Sequence, residues 1–238
     1  MTGVASLWSY LSTTPLLWLT ATVIAYLAAD AAARRLSNPP WANPVLMSVL
    51  LLAPLLWLTR TGYGTYFEGA QFIHFLLGPA TVALALPLWD NRKTIRHSVA
   101  PIFLALLAGS ITAAGSAILL ARAFDLPDEI LLSLAPKSTT APVALGISEA
   151  VGGIPTLTAV LVILTGIIGA MMVTPLMNLL KISDWRARGF AVGVAAHGIG
   201  TARAFQVNEV AGAYAGIAMA SNALLTSLIV PILVRWLV

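Results

Sequence analysis

The chain contains no cysteine. That excludes a disulfide scaffold, a thiolate metal site and an iron–sulfur centre. Charge is also scarce. Only 9% of the 238 residues are Asp, Glu, Lys or Arg, against roughly 25% in an ordinary soluble domain. With 59% hydrophobic residues, the chain lacks the polar surface to cover itself in water. Histidine is scarce too, with three in all, and none pairs with another at metal-ligand spacing. No Gly-rich loop ends in Gly-Lys-Ser/Thr, no Gly-x-Ser-x-Gly occurs, and no His-Glu-x-x-His occurs. The sequence therefore predicts neither an enzyme nor a metal or cofactor site. An intramembrane hydrolase built on Ser138 and Lys137 is disfavoured, because adjacent residues point to different sides of a helix.

What is abundant is long uncharged sequence. Ser98–Ala121, Ile154–Leu180 and Val210–Val234 carry no charge, and each exceeds the roughly 20 residues that cross a bilayer's hydrocarbon core. Eight apolar blocks emerge: 11–29, 42–59, 69–89, 98–121, 130–150, 154–180, 189–207 and 210–234. The expected fold is all-α, a polytopic transmembrane helical bundle of about seven or eight segments in one integral membrane domain over 1–238. Leu11–Ala29 is read as a retained first helix, since no basic residue precedes it and Arg34-Arg35 follow. Trp41, Trp57, Trp89, Trp185 and Trp236 sit at block ends, as an interfacial aromatic belt requires.

The net charge of +4 is a topology signal here, with no nucleic-acid partner implied. Arg34-Arg35, Arg92-Lys93-Arg96 and Lys181-Arg186-Arg188 hold 8 of the 13 basic residues, and the positive-inside rule puts all three clusters in the cytoplasm. Three blocks separate the second cluster from the third, one too many for that placement. Block 130–150 holds Pro136, Lys137, Pro142 and Glu149, so it is expected to be re-entrant or broken and buried in protein, the setting in which irregular backbone survives at membrane depth. The triplets 42–121 and 154–234 would then enter from opposite faces. The middle member of each is interrupted, by Gly78-Pro79 through Pro87 in one and by His197-Gly198-Ile199-Gly200 in the other. Paired interruptions in inverted halves point to a midplane binding site.

Two clusters could carry that site. In 134–146, Lys137 is followed by Ser138, Thr139 and Thr140 between two prolines. A lysine at the bilayer centre costs about 2.5–3.5 kcal/mol, so it is paired, snorkelling or in a wet cavity. The hydroxyls either replace helix hydrogen bonds lost at proline or bind an anion. In 195–204, Gly198 and Gly200 permit unwinding, and His197, Thr201 and Arg203 stand in an apolar stretch. The Arg203 fork suits a carboxylate, and a half-helix N-terminus adds partial positive charge. Glycine-packed helix contact is the plain alternative. Thr81 falls on one face with Gln71 and His74 and joins the candidate binding set. Glu149 or His197 could carry a coupling proton.

The stretches LLGPATVALALPLW (76–89), LAPKSTTAPVALGISEAVGGIP (134–155), LTAVLVILTGIIGA (157–170) and AHGIGTARAF (196–205) resemble the LrgB/CidB family of bacterial membrane proteins. The resemblance covers most of the chain from about Gly62. KSTTAP and HGIGTAR are its specific strings, whereas the apolar run between them is not. It implies a multi-pass protein of the bacterial inner membrane and two functional pictures. One is a holin/antiholin-like regulator of murein hydrolase export, acting with an LrgA/CidA-type membrane partner. The other is transport of small organic acids, since the LrgB-like part of the plastidal glycolate/glycerate translocator is similar. The broken helices also resemble those of cation/proton antiporter-like folds. The expectation favours a carrier for glycolate-, glycerate- or pyruvate-like monocarboxylates. Glycine-rich packing, at Gly166, Gly169, Gly212 and Gly216, makes a homodimer the expected assembly.

Overall fold

The computed structural model describes residues 14–237 except 40, 77, 78, 80, 81, 84, 91 and 98. The described residues form helices and connecting turns only. Contacts divide the chain into two compact units, 1–80 and 81–238.

The first unit is built from α1 (Pro15–Arg35), α2 (Pro44–Leu58) and α3 (Tyr63–Phe75). Proline opens both α1 and α2, at the first-turn position where a missing N–H costs nothing. Asn43 caps α2 by accepting from the Val45 and Leu46 amides. Helix α1 packs on both neighbours. Trp18 is its buried anchor, edge-on to Tyr66 of α3, while the Thr22 hydroxyl lies 3.1 Å from the Tyr66 hydroxyl. Gly69 gives the room for this contact, since a Cβ there would run into the Pro15 and Leu19 backbone.

The second unit contains α4 (Ala85–Asp90), α5 (Arg92–His97), α6 (Val99–Ala123), α7 (Asp128–Leu134), α8 (Ala141–Val151), α9 (Pro155–Leu179), α10 (Trp185–Val207) and α11 (Glu209–Leu237). Its densest packing joins α10 to α11. Gly189 and Gly193 face the Ala211 and Ala215 backbone so closely that neither position has room for a side chain. Small residues substitute here for the hydrophobic drive that a lipid surround removes. Asp184 caps α10 through the Arg186 amide at 2.8 Å. Asn208 accepts from the Val210 and Ala211 amides at the start of α11.

Four described helices are long and apolar enough to cross a membrane: α1, α6, α9 and α11. Helices α2 and α8 are apolar but shorter. Helix α10 spans 23 residues but is not among the four, because its glycines, histidine and arginines dilute its hydropathy. Large apolar side chains such as Leu119, Leu164, Leu224 and Leu228 stand exposed along the long helices, as a lipid-facing surface would have them.

Block 130–150 is broken as expected. Helix α7 stops at Leu134, a turn covers 135–140, and α8 starts at Ala141. The chain then doubles back. The Ser133 hydroxyl accepts from the Ile154 amide at 2.7 Å, and Thr158 donates to the Ser133 carbonyl at 3.0 Å. Gly152 closes α8 at φ +89, a left-handed cap that glycine adopts without a Cβ penalty. In block 69–89, α3 ends at Phe75 and α4 begins at Ala85; Gly78, part of the expected Gly78-Pro79 interruption, lies outside the described residues. The first expected triplet, 42–121, runs across the division between the two units.

Candidate functional site

The two sequence clusters lie at the two breaks of the second unit. The first break is the turn 135–140 between α7 and α8. Pro136 and Thr139 are fully buried, and Ser138 and Thr140 are buried. Thr140 occupies the N-cap of α8 with extended backbone, yet its side chain caps nothing. The hydroxyl oxygens of both Thr139 and Thr140 are buried without any hydrogen-bond partner. An unmade hydrogen bond on a buried polar atom costs about 1–3 kcal/mol, and native chains rarely leave one standing idle. Here two adjacent ones stand at a helix N-terminus, where Pro142 lacks an N–H and the free amides carry partial positive charge. The lysine beside them is half-buried, its Nζ donating to the Ser138 hydroxyl at 3.3 Å.

The second break is inside α10. Ala196 (φ −130, ψ 18) and His197 (φ 40, ψ −136) leave the helical region, so 185–195 and 198–207 are separate half-helices. A positive φ on a bulky residue is strained and is kept only where the surroundings over-determine it. The surroundings here are specific. His197 is buried, and its Nε2 lies 2.9 Å from the Val162 carbonyl of α9. A carbonyl can only accept, so Nε2 carries the proton. Gly166 of α9 makes the space, because a Cβ there would sit 2.6 Å from His197 Cε1. Gly169 performs the same service for Ala196. Thr201 donates to the His197 carbonyl at 2.8 Å, covering an acceptor at the break. Gly200 has room for no side chain against Ala196 and Val192, whereas Gly198 has only Met219 within reach, at 3.8 Å.

One residue that the sequence reading did not single out joins the breaks. Asn222 of α11 is 1% exposed. Its Nδ2 donates to the Ser138 carbonyl at 3.3 Å and to the Val194 carbonyl at 3.2 Å. Its Oδ1 accepts from Ser110 of α6 at 2.6 Å and from Thr226 at 3.1 Å. The only prior signal was a lone Asn inside an apolar block, and intramembrane polar residues of that kind face the bundle interior.

A cavity of about 1160 Å³ opens beside this junction, walled mostly by apolar residues of α6, α9 and α10. Lys137, Ser138 and Arg186 bring its two cations and one of its hydroxyls, with Thr112, Thr165 and Tyr214 adding others. Arg186 is exposed and pairs with Asp184 at 2.7 Å. That bond holds the Asp184 carboxyl at about 2, below its usual 3.8.

The remaining sequence candidates lie elsewhere. Arg203 is half-exposed toward the C-terminal end of α10, with Nη1 3.4 Å from Gln206 Oε1. Glu149 is exposed at the far end of α8, away from the turn that holds Lys137. Thr81 lies outside the described residues. The structure thus joins Ser138 to Val194, just before the α10 break, through Asn222, and sets Lys137 and Ser138 in one cavity wall with Val194 and Ala195, while Glu149 is exposed at the other end of α8 and Arg203 is half-exposed toward the end of α10. Among the described residues, no group of three His, Asp or Glu is placed to hold a metal ion.

An all-helical chain with membrane-length helices and two broken segments defines a class, the polytopic membrane protein. The LrgB-like family profile matches residues 22–236, and the chain belongs to that family. The chain is 35% identical to the uncharacterized protein YxaC of Bacillus subtilis over 91% of its own length and 93% of the relative's. It is 33% identical to the uncharacterized protein YwbG of the same organism, over 91% and 96%. It is 31% identical to the holin-like protein CidB of Staphylococcus aureus, over 92% and 95%. No solved structure matches.

Proposed function

We propose that this LrgB-family protein is a carrier for small organic monoanions in the bacterial inner membrane. It binds the carboxylate where the 135–140 turn meets the break in α10. The observation that carries this reading is the pair of buried, unpartnered hydroxyls on Thr139 and Thr140, in the same turn as Lys137 and Ser138, which line a large cavity. Two hydroxyl donors, a cation and a helix N-terminus together complement a carboxylate and an adjacent hydroxyl or keto oxygen. The mostly apolar cavity walls suit a small solute and disfavour a heavily hydrated polyanion. Broken helices that meet in the interior are the usual architecture of a secondary-transport site. Of the two candidates for a coupling proton, His197 stands at the junction and Glu149 outside it.

A second reading rests on a different observation. The name of the Staphylococcus relative, holin-like protein CidB, favours a holin-like regulator of murein hydrolase export that works with an LrgA/CidA-type partner. The names of the relatives support this reading more directly than they support transport, whereas the site geometry favours the carrier.

Uptake of radiolabelled glycolate, glycerate, lactate and pyruvate into proteoliposomes containing only this chain separates the two. Saturable uptake, lost in Lys137→Gln and in a Thr139→Val/Thr140→Val double variant that still folds, supports the carrier. Silent uptake with leakage of large solutes, or leakage only when an LrgA/CidA-type protein is co-reconstituted, supports the holin-like reading.

A further inference from the structure

Groups from three other elements converge on the Asn222 side chain, Ser110 from α6, the Ser138 carbonyl from the 135–140 turn and the Val194 carbonyl from α10, and Thr226 joins them from one turn along its own helix. The orientation of the amide follows from chemistry. Both main-chain partners are carbonyls, which only accept, so the NH2 group must face them and Oδ1 must take the two hydroxyl protons. Every hydrogen-bonding position of the amide that this geometry reaches is used. Each of the two carbonyls belongs to a break. In an unbroken helix Val194 would receive the amide of Gly198, which lies on the far side of the interruption at 196–197. Ser138 sits in a non-helical turn flanked by Pro136 and Pro142. One NH2 group thus spans the two irregular segments, and its neighbours Lys137 and Ala195 both line the cavity.

We infer that Asn222 is the positioning residue of the anion site: its amide ties the KSTT turn to the α10 break so that both present their polar groups to one bound carboxylate. The inference rests on the carrier reading for the identity of the ligand but not for the tie itself. Asn222 does not line the cavity and acts only through the backbones it holds. A buried amide bridging two main-chain segments in a low-dielectric surround is worth more than a surface hydrogen bond, and removing it leaves two carbonyls unserved. Without the tie, the two segments separate and the site loses its geometry while the helices remain.

The native absence of cysteine makes the test direct. Ser138→Cys and Ala195→Cys are introduced together, one on each side of the tie, and the rate of disulfide formation under mild oxidant is measured in purified protein. The measurement is made in three backgrounds: native Asn222, Asn222→Leu, which removes the amide while keeping the γ-branched shape, and Asn222→Asp, which keeps the acceptor for Ser110 and Thr226 but not the NH2. The expected result is fast cross-linking with Asn222 and about tenfold slower cross-linking with Leu and Asp, the size of effect that losing a buried hydrogen bond allows. In the cysteine-free chain, the same Asn222 variants should raise KM for the transported anion about tenfold while kcat changes less, a split that a general loss of stability would not produce. Unchanged cross-linking in a folded Asn222→Leu or Asn222→Asp protein overturns the tie. If neither folds, Ser110→Ala, which only loosens the amide, should slow cross-linking by a smaller factor, and no slowing there overturns it as well. A protein that cross-links as expected but takes up none of the four acids would refute the carrier reading and leave the tie standing.

Discussion

The sharpest test of the α10 break is Gly166→Ala. In an ordinary helix this substitution is favourable, since alanine exceeds glycine in helix propensity by up to about 1 kcal/mol. At Gly166 the new methyl would lie 2.6 Å from His197 Cε1, 2.9 Å from Nε2 and 2.9 Å from Ile199 Cβ. Real Cβ contacts do not come that close, so the imidazole or the helix must move. Moving the ring stretches its 2.9 Å bond to the Val162 carbonyl and strands a buried N–H, at about 1–3 kcal/mol. Overpacking of an already tight contact adds a further 1–3 kcal/mol or so. Against the propensity gain, the net expectation is a loss of roughly 1–5 kcal/mol. Gly115→Ala is the matched control, because that glycine lies in α6 with nothing within 4 Å of its added Cβ. It should be neutral or stabilising. Reversible unfolding in mixed micelles, followed by loss of helical circular dichroism, measures both. If Gly166→Ala is as stable as Gly115→Ala, the fit of His197 into α9 is wrong, and with it the account of why α10 breaks there.

Other expectations follow from the same geometry. Thr139→Val and Thr140→Val should leave stability unchanged or slightly raised, since their hydroxyls have no partner to lose, while anion affinity falls about tenfold or more; a stability loss of 2 kcal/mol or more would mark the hydroxyls as structural. Lys137→Met should keep the protein folded, removing a charge that is costly at membrane depth, and abolish saturable uptake. Arg186→Gln should raise KM with little effect on kcat and weaken its dependence on salt, because Arg186 is an exposed cation on the cavity wall and exposed charges are screened. Asp184 is held at about 2 mainly by its hydrogen bond to Arg186. A depressed carboxyl stabilises the folded state above its unfolded value near 3.8 and ceases to do so as pH falls through about 2. Acid unfolding between pH 4 and 2 should therefore be shallower in Asp184→Asn, and an unchanged acid limb would show that this cap contributes nothing.

The two breaks were legible in the sequence because their causes are local. Prolines flank KSTT, and glycines follow His197, so a helix pattern fails at each place for reasons carried by a few adjacent residues. The lysine and hydroxyls could be read as site candidates on the same local ground. The roles within the second cluster could not. Histidine in an apolar helix gives no hint that its ring docks against Val162 and into the gap at Gly166, 35 and 31 positions earlier in the chain. Arg203 is as polar as any candidate, but half a helix separates it from the break, and its exposure could not be inferred from composition. Glu149 and Lys137 share one block, yet the length of α8 holds them apart.

Composition and run length alone determined that this is a helical membrane protein, because a chain with so little charge and such long apolar stretches has no stable alternative in water or lipid. Motif strings alone determined the family. Only the tertiary structure decided which polar groups are satisfied and which stand idle, since hydrogen-bond partners come from elements far apart in sequence. Ser110, Ser138, Val194 and Thr226 meet on Asn222 only once α6, α10 and α11 have packed. That packing depends on glycines and alanines whose role is the space they leave, a property that no single stretch of sequence displays.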